Sequence, residues 1–103
     1  MPTIAQPGDV VLVRFPFTDL TNGRDLIIVG VFSSPPQTRE LTWIPLRDGD
    51  PTFSQTGLRT ASVIKAERIA VVEQSVVVRK LGSLVSSQMD ALRRAVKLAL
   101  NLD

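Results

Sequence analysis

Residues 61–100 run ASVIKAERIAVVE, QS, VVVRKL, GSLVS, SQMDALRRAVKLAL, and the period of the apolar residues changes once along them. Ala61 to Glu73 and Val76 to Leu81 are rich in β-branched residues, are parted by Gln74-Ser75, and read as two strands. From Ser87 onward the spacing becomes helical. Ser87-Gln88-Met89-Asp90 has the form of an N-cap followed by an acidic third position, which predicts a helix start there. Met89, Leu92, Val96 and Ala99 or Leu100 then share one face at spacings of three and four, while Arg93, Arg94 and Lys97 point elsewhere. Lys97 lies in the second half of the segment, where a cation suits the helix dipole.

The residues before this stretch read as three more strands. Gly8-Asp9 turn into Val10 to Phe15, a run too short for a helix, and Pro16 ends it. Thr18 to Arg24 is polar and contains Asn22-Gly23, a turn signal. Leu26 to Phe32 is the second strand, closed by Ser33-Ser34-Pro35-Pro36. Glu40 to Leu46 alternates around Trp43, and Pro45 places this third strand at an edge or a bend. Arg47 to Arg59 is rich in Gly, Asp, Thr, Ser and Pro and reads as a long loop of the functional or mobile kind. Five or so short strands and one amphipathic helix predict a mainly β fold with a C-terminal helix. The expected form is a small SH3-like, curled antiparallel barrel, one domain over residues 1–103.

Composition narrows the chemistry. The chain has no cysteine, which removes disulfides, thiolate nucleophiles and zinc ribbons and suits a reducing cytoplasm. It also has no histidine, so acids, bases and ligands must come from Asp, Glu, Lys, Arg or hydroxyls, which nearly excludes a catalytic zinc site. No cofactor is expected. No apolar run approaches the roughly 20 residues of a membrane span, and no secretory signal is expected. Twelve basic against ten acidic residues give a net charge of +2. That balance permits nucleic-acid binding without requiring it, since the basic residues are scattered.

Three ordered matches make the sequence similar to a known family. Gly8-Asp9-Val10-Val11-Leu12-Val13-Arg14-Phe15-Pro16-Phe17-Thr18-Asp19-Leu20 resembles the opening of MazF/PemK-type toxins, where Phe-Pro-Phe-Thr-Asp leads into the loop over the active site. Gly57-Leu58 with Ser62-Val63-Ile64-Lys65-Ala66-Glu67-Arg68-Ile69 is similar to the family's Gly-Leu, Ser-Val-Val-Arg-x-Asp pattern. Arg79-Lys80-Leu81-Gly82-Ser83-Leu84 before the terminal helix is the third match. The region between the first two departs from the pattern. In one alignment Arg24 to Val29 stands for the family's Arg-Pro strand, with Asp25 replacing the proline. In the other, preferred because Val31 to Ser34 and Trp43 to Leu46 then fall into place, Asp25 to Ser34 is a later strand and the Arg-Pro strand is missing.

The resemblance implies the plasmid-maintenance-toxin fold of MazF and CcdB, a cytoplasmic homodimer, and an antitoxin whose disordered acidic tail would occupy the RNA groove. It also implies metal-independent, sequence-specific cleavage of single-stranded RNA, mRNA included, in which the 2′-hydroxyl attacks the adjacent phosphate. The alternative is a non-catalytic, toxin-like module that binds an antitoxin or a protein target such as gyrase. Carried over by position, Arg24 would brace the phosphoryl oxygens and Ser33 would hydrogen-bond phosphate or ribose. Lys65 and Glu67 would stand for the Arg-x-Asp acid–base pair, with lysine lacking the bidentate fork of arginine. Arg14, Phe17, Thr21, Asn22 and Arg59 are the further RNA-binding candidates, and Trp43 could line the same path. The same residues admit plainer readings: a solvated Arg24, a turn serine at Ser33, a simple Lys65–Glu67 ion pair, and a Trp43 in the core or a dimer interface.

Overall fold

The computed structural model describes residues 5–14, 25–33 and 40–102. Among the described residues five strands precede one helix: β1 Asp9–Val13, β2 Asp25–Phe32, β3 Trp43–Leu46, β4 Ser62–Glu73, β5 Val77–Ser83 and α1 Ser86–Ala99. These strands pair antiparallel, in a two-stranded sheet β1-β5 and a three-stranded sheet β2-β4-β3. The mainly β fold with a terminal helix is therefore as expected, but among the described residues the ladder does not close into a barrel. The chain changes sheets at Gln74–Val76, where a 3-10 turn joins β4 to β5.

Alternation along the strands decides what faces the helix. Directly paired residues share a face, so Ile44 with Ile64, and Leu46 with Ser62, lie on one side of the sheet. On that side Ile44, Leu46, Ile64, Ala66 and Ala95 form the buried core, with Leu92, Val96 and Ala99 of α1 packed against it. The intervening residues Trp43, Pro45, Val63, Lys65 and Glu67 project from the opposite face. Truncating a buried aliphatic of this kind leaves a cavity, and Ile64→Ala is expected to cost about 2–5 kcal/mol in chemical denaturation.

Several boundaries move from their expected places. The helix begins earlier than Ser87 because Gln88, not Asp90, closes the cap: its Oε1 accepts the Val85 N–H at 2.9 Å. Leu100 lies past the helix and is 53% exposed, so Ala99 completes the apolar face. β3 starts at Trp43 because residues 40–42 turn, with the Trp43 N–H donating to the Glu40 carbonyl. Pro45 does sit on an edge strand, in the order β2-β4-β3. β5 begins at Val77, since Val76 belongs to the 3-10 turn.

The segment Arg47 to Arg59 is not the structureless loop its composition suggests. It carries a 3-10 turn at Phe53–Thr56, and Thr56 is fully buried with its hydroxyl donating to the Phe53 carbonyl at 2.7 Å. The Asp50 carboxylate accepts the N–H and hydroxyl of Thr52, which hold its pKa below the usual carboxylate value. Gln88 Nε2 donates to Thr52 Oγ1 at 3.3 Å, so the side chain that caps α1 also ties down this segment.

Candidate functional site

The outer face of β4 carries a break in register. Val29 lies opposite Ile69 but the next residue, Gly30, lies opposite Lys65, so Ala66, Glu67 and Arg68 bulge from the strand. On the other flank Trp43 pairs with Lys65, and the Ala66 N–H donates to the Thr42 carbonyl. A bulge bends a strand and re-aims its side chains. In an unbroken strand Lys65 and Arg68, three apart, would face opposite ways. Here both cations approach the same ring: Lys65 Nζ is 4.8 Å, and Arg68 Cζ 5.8 Å, from the centroid of Phe32.

That ring has room because residue 30 is glycine. A Cβ there would stand 2.9 Å from Phe32 Cε2 and 3.0 Å from Arg68 Cβ, so ring and arginine stem both lie against the bare backbone. Lys65 Nζ is also 4.5 Å from the Trp43 ring, which leaves the ammonium in contact with two aromatic systems. Exposed contacts of this type are worth about 0.5–1 kcal/mol each and chiefly fix where the charge sits.

Glu67 completes the cluster. Its Oε2 accepts a hydrogen bond from the Thr42 hydroxyl and its Oε1 one from the indole N–H of Trp43. The Thr42 bond does most to hold the Glu67 pKa below the usual glutamate value; Trp43 and the nearby Arg68 charge act in the same direction, and partial desolvation opposes them. A carboxylate with a depressed folded pKa stabilises the fold above its unfolded pKa, and that contribution disappears as pH falls through the lower, folded value. Unfolding followed by emission from Trp43, the single tryptophan of the chain, is therefore expected to show stability lost as pH falls below the ordinary glutamate value, and Glu67→Gln to lack that part of the pH dependence.

Of the nine site residues expected from sequence, Lys65 and Glu67 are brought together, through Trp43. They do not form the simple ion pair: the bridges among the described residues are Lys80–Asp9 and Arg93–Asp90. Ser33 is exposed one residue past β2, and no hydrogen bond links it to Lys65 or Glu67 among the described residues. Arg14 is exposed at the end of β1, its backbone N–H on the Val76 carbonyl, and Arg59 is exposed ahead of β4; no contact ties either to the cluster among the described residues. Arg24, Phe17, Thr21 and Asn22 lie outside the described residues. Trp43 is half-buried and belongs to the cluster. Phe32, Thr42 and Arg68 were not singled out from sequence; a glycine two residues before an aromatic, inside a β run, is the one local hint of the close packing at Phe32.

A groove of about 360 Å³ also opens between β3 and α1, bordered by Leu41, Trp43, Arg94 and Leu98 among others. Lys65, Glu67 and Arg68 do not line it. Among the described residues no group of three or more acidic side chains is placed to hold a metal ion. No helix there is long and apolar enough to cross a membrane.

The family model of PemK-like, MazF-like toxins of type II toxin-antitoxin systems matches residues 10–100. The chain belongs to that family. Solved structures agree in fold with this PemK-like, MazF-like chain. The Mycobacterium tuberculosis toxin MazF-mt6 superposes with a TM-score of 0.63 at 20% identity, over 92% of this chain and 86% of that one. An endoribonuclease in complex with its cognate antitoxin, from a mycobacterial species, gives 0.72 at 16% identity, over 96% and 97%. A further mycobacterial endoribonuclease gives 0.71 at 18%, over 97% and 94%. No curated protein matches the sequence at a significant level. The PemK-like, MazF-like match spans all three strands of the cluster, since Phe32, Trp43, Lys65, Glu67 and Arg68 all fall within residues 10–100.

Proposed function

We propose that this toxin is a metal-independent endoribonuclease acting on single-stranded RNA. The observation that carries the reading is the Lys65 ammonium held against Phe32 and Trp43, with Arg68 beside it on a bulged, outward face. Cations interleaved with aromatic rings suit a strand whose phosphates are charged and whose bases stack. The family membership, and two structural neighbours that are endoribonucleases, support the same reading.

RNA carries its own nucleophile. The 2′-hydroxyl oxygen forms a bond to the adjacent phosphorus and gives up its proton to an acceptor, a carboxylate or water. The bond from phosphorus to the 5′-oxygen breaks, and that oxygen takes a proton. A 2′,3′-cyclic phosphate and a 5′-hydroxyl result, with no metal needed in the balance. The protein's part is to orient the strand and stabilise the added negative charge on the phosphoryl oxygens, which is where Lys65, Arg24 and Ser33 are assigned. The homodimer and an antitoxin covering the cationic face belong to the same proposal; one structural neighbour is a complex with its cognate antitoxin.

One observation favours the binding-module reading: both oxygens of Glu67, the carboxylate of the site, already accept hydrogen bonds. Incubating the protein with single-stranded RNA in EDTA and examining the ends separates the two. Fragments bearing 5′-hydroxyl groups are expected. RNA that is bound but intact would instead make the chain a binding module.

A further inference from the structure

We infer that Glu67 is a positioning residue, which orients Trp43 and through it the Lys65 ammonium, and that its carboxylate is not the proton acceptor of the reaction. The inference deepens the endoribonuclease reading and rests on it for the RNA readouts, whereas its geometric part stands on the folded protein alone.

The contacts run in one direction. An indole N–H only donates and a carboxylate only accepts, so the bond from Trp43 Nε1 to Glu67 Oε1 fixes the ring relative to β4. The Thr42 hydroxyl holds the second oxygen, which fixes the carboxylate in turn. The ring so held stands 4.5 Å from Lys65 Nζ and forms one wall of its seat, with Phe32 the other at 4.8 Å. Trp43 and Lys65 are also direct strand partners, so a rotated indole would move away from the ammonium. A general base works best when its pKa lies near the operating pH. Both bonds to Glu67 favour the ionised form, which pulls its pKa the other way.

Glutamine separates the two roles. Its carbonyl oxygen can still accept the indole N–H, and its amide can donate to the Thr42 hydroxyl, which accepts as readily as it donates. It cannot take up a proton near neutrality. Glu67→Gln should therefore keep Trp43 in place, whereas Glu67→Ala should release it.

Emission and acrylamide quenching of Trp43 are measured on the free, full-length protein and its two variants. Glu67→Ala is expected to red-shift the emission and increase quenching, and Glu67→Gln to resemble the parent. With a single-stranded oligoribonucleotide, Glu67→Ala is expected to raise KM by about tenfold, the scale of losing one ordered stacking contact. Glu67→Gln should recover most of that rise and lower kcat by less than about tenfold, whereas loss of a general base costs about 100-fold or more. A Glu67→Gln protein with parental Trp43 fluorescence but a kcat down by about 100-fold or more would overturn the inference, as would a Glu67→Ala protein with unchanged fluorescence. Should Glu67→Ala fail to fold, Thr42→Val, which removes one donor to the carboxylate, is expected to give a smaller shift of the same sign. Absence of cleavage by the parent protein would instead refute the endoribonuclease reading and leave the fluorescence comparison to decide the positioning role.

Discussion

Gly82→Ala and Gly57→Ala are each expected to destabilise the protein far beyond an ordinary surface substitution. The two glycines lie where the 3-10 turn Phe53–Thr56 presses onto β5. A Cβ on Gly82 would overlap the carbonyl oxygen of Gln55 and stand 2.6 Å from that of Thr56; a Cβ on Gly57 would overlap the carbonyl of Leu81. Backbone blocks the way in each case, so no side chain can rotate aside. Overpacking of this kind costs about 1–3 kcal/mol and sometimes more. Gly57 also has φ +73, and a non-glycine residue held in a sparsely populated backbone region costs about 1–3 kcal/mol again. Against a total stability of about 5–15 kcal/mol, these penalties should lower Tm by roughly 10–30 °C in a domain of this size. Gly49→Ala is the control: nothing lies within 4 Å of its added Cβ, and Tm should shift by no more than a surface substitution gives. Calorimetry or thermal circular dichroism reads all three.

Lys65→Met should lower kcat/KM for RNA cleavage by about 100-fold, as removal of one preorganised donor to developing charge typically does. Methionine keeps the length of the side chain and its apolar contact with Phe32 and Trp43 while removing the ammonium, so folding should be retained. A second readout tests the assignment to phosphate. Losing one cation–phosphate contact should make the salt dependence of RNA affinity shallower by about one counterion, uniformly across sequences. Arg24→Ala is expected to cost about 100-fold on the same ground if it braces the phosphoryl oxygens. Unaltered cleavage in either variant would remove that residue from the site.

The period change near Ser87 made the helix legible, and the β-branched run from Ala61 to Glu73 made β4 legible, because each follows from side-chain spacing alone. Alternation puts Lys65 and Glu67 on one face, and across the bulge both meet Trp43. What spacing could not supply was the bulge at residues 66–68. It turns Arg68 toward the ring that Lys65 also meets, and its presence depends on how β2 and β3 register against β4 at two different points. The Arg47 to Arg59 segment is opaque to spacing for a related reason. Its polar composition resembles a free loop, but its buried Thr56 and its contact with β5 come from residues distant in sequence.

Residue identity and the periods of two and 3.6 suffice for the family resemblance, the strand-then-helix order and a chemistry without imidazole or thiol. That Glu67 bonds to Trp43 rather than to Lys65, and that Phe32 and Arg68 join them, follows from the packing of three strands. β2, β3 and β4 meet through hydrogen bonds between residues 16 to 48 apart in sequence, from Leu46–Ser62 to Asp25–Glu73, and a single register step there chooses which side chains share a surface.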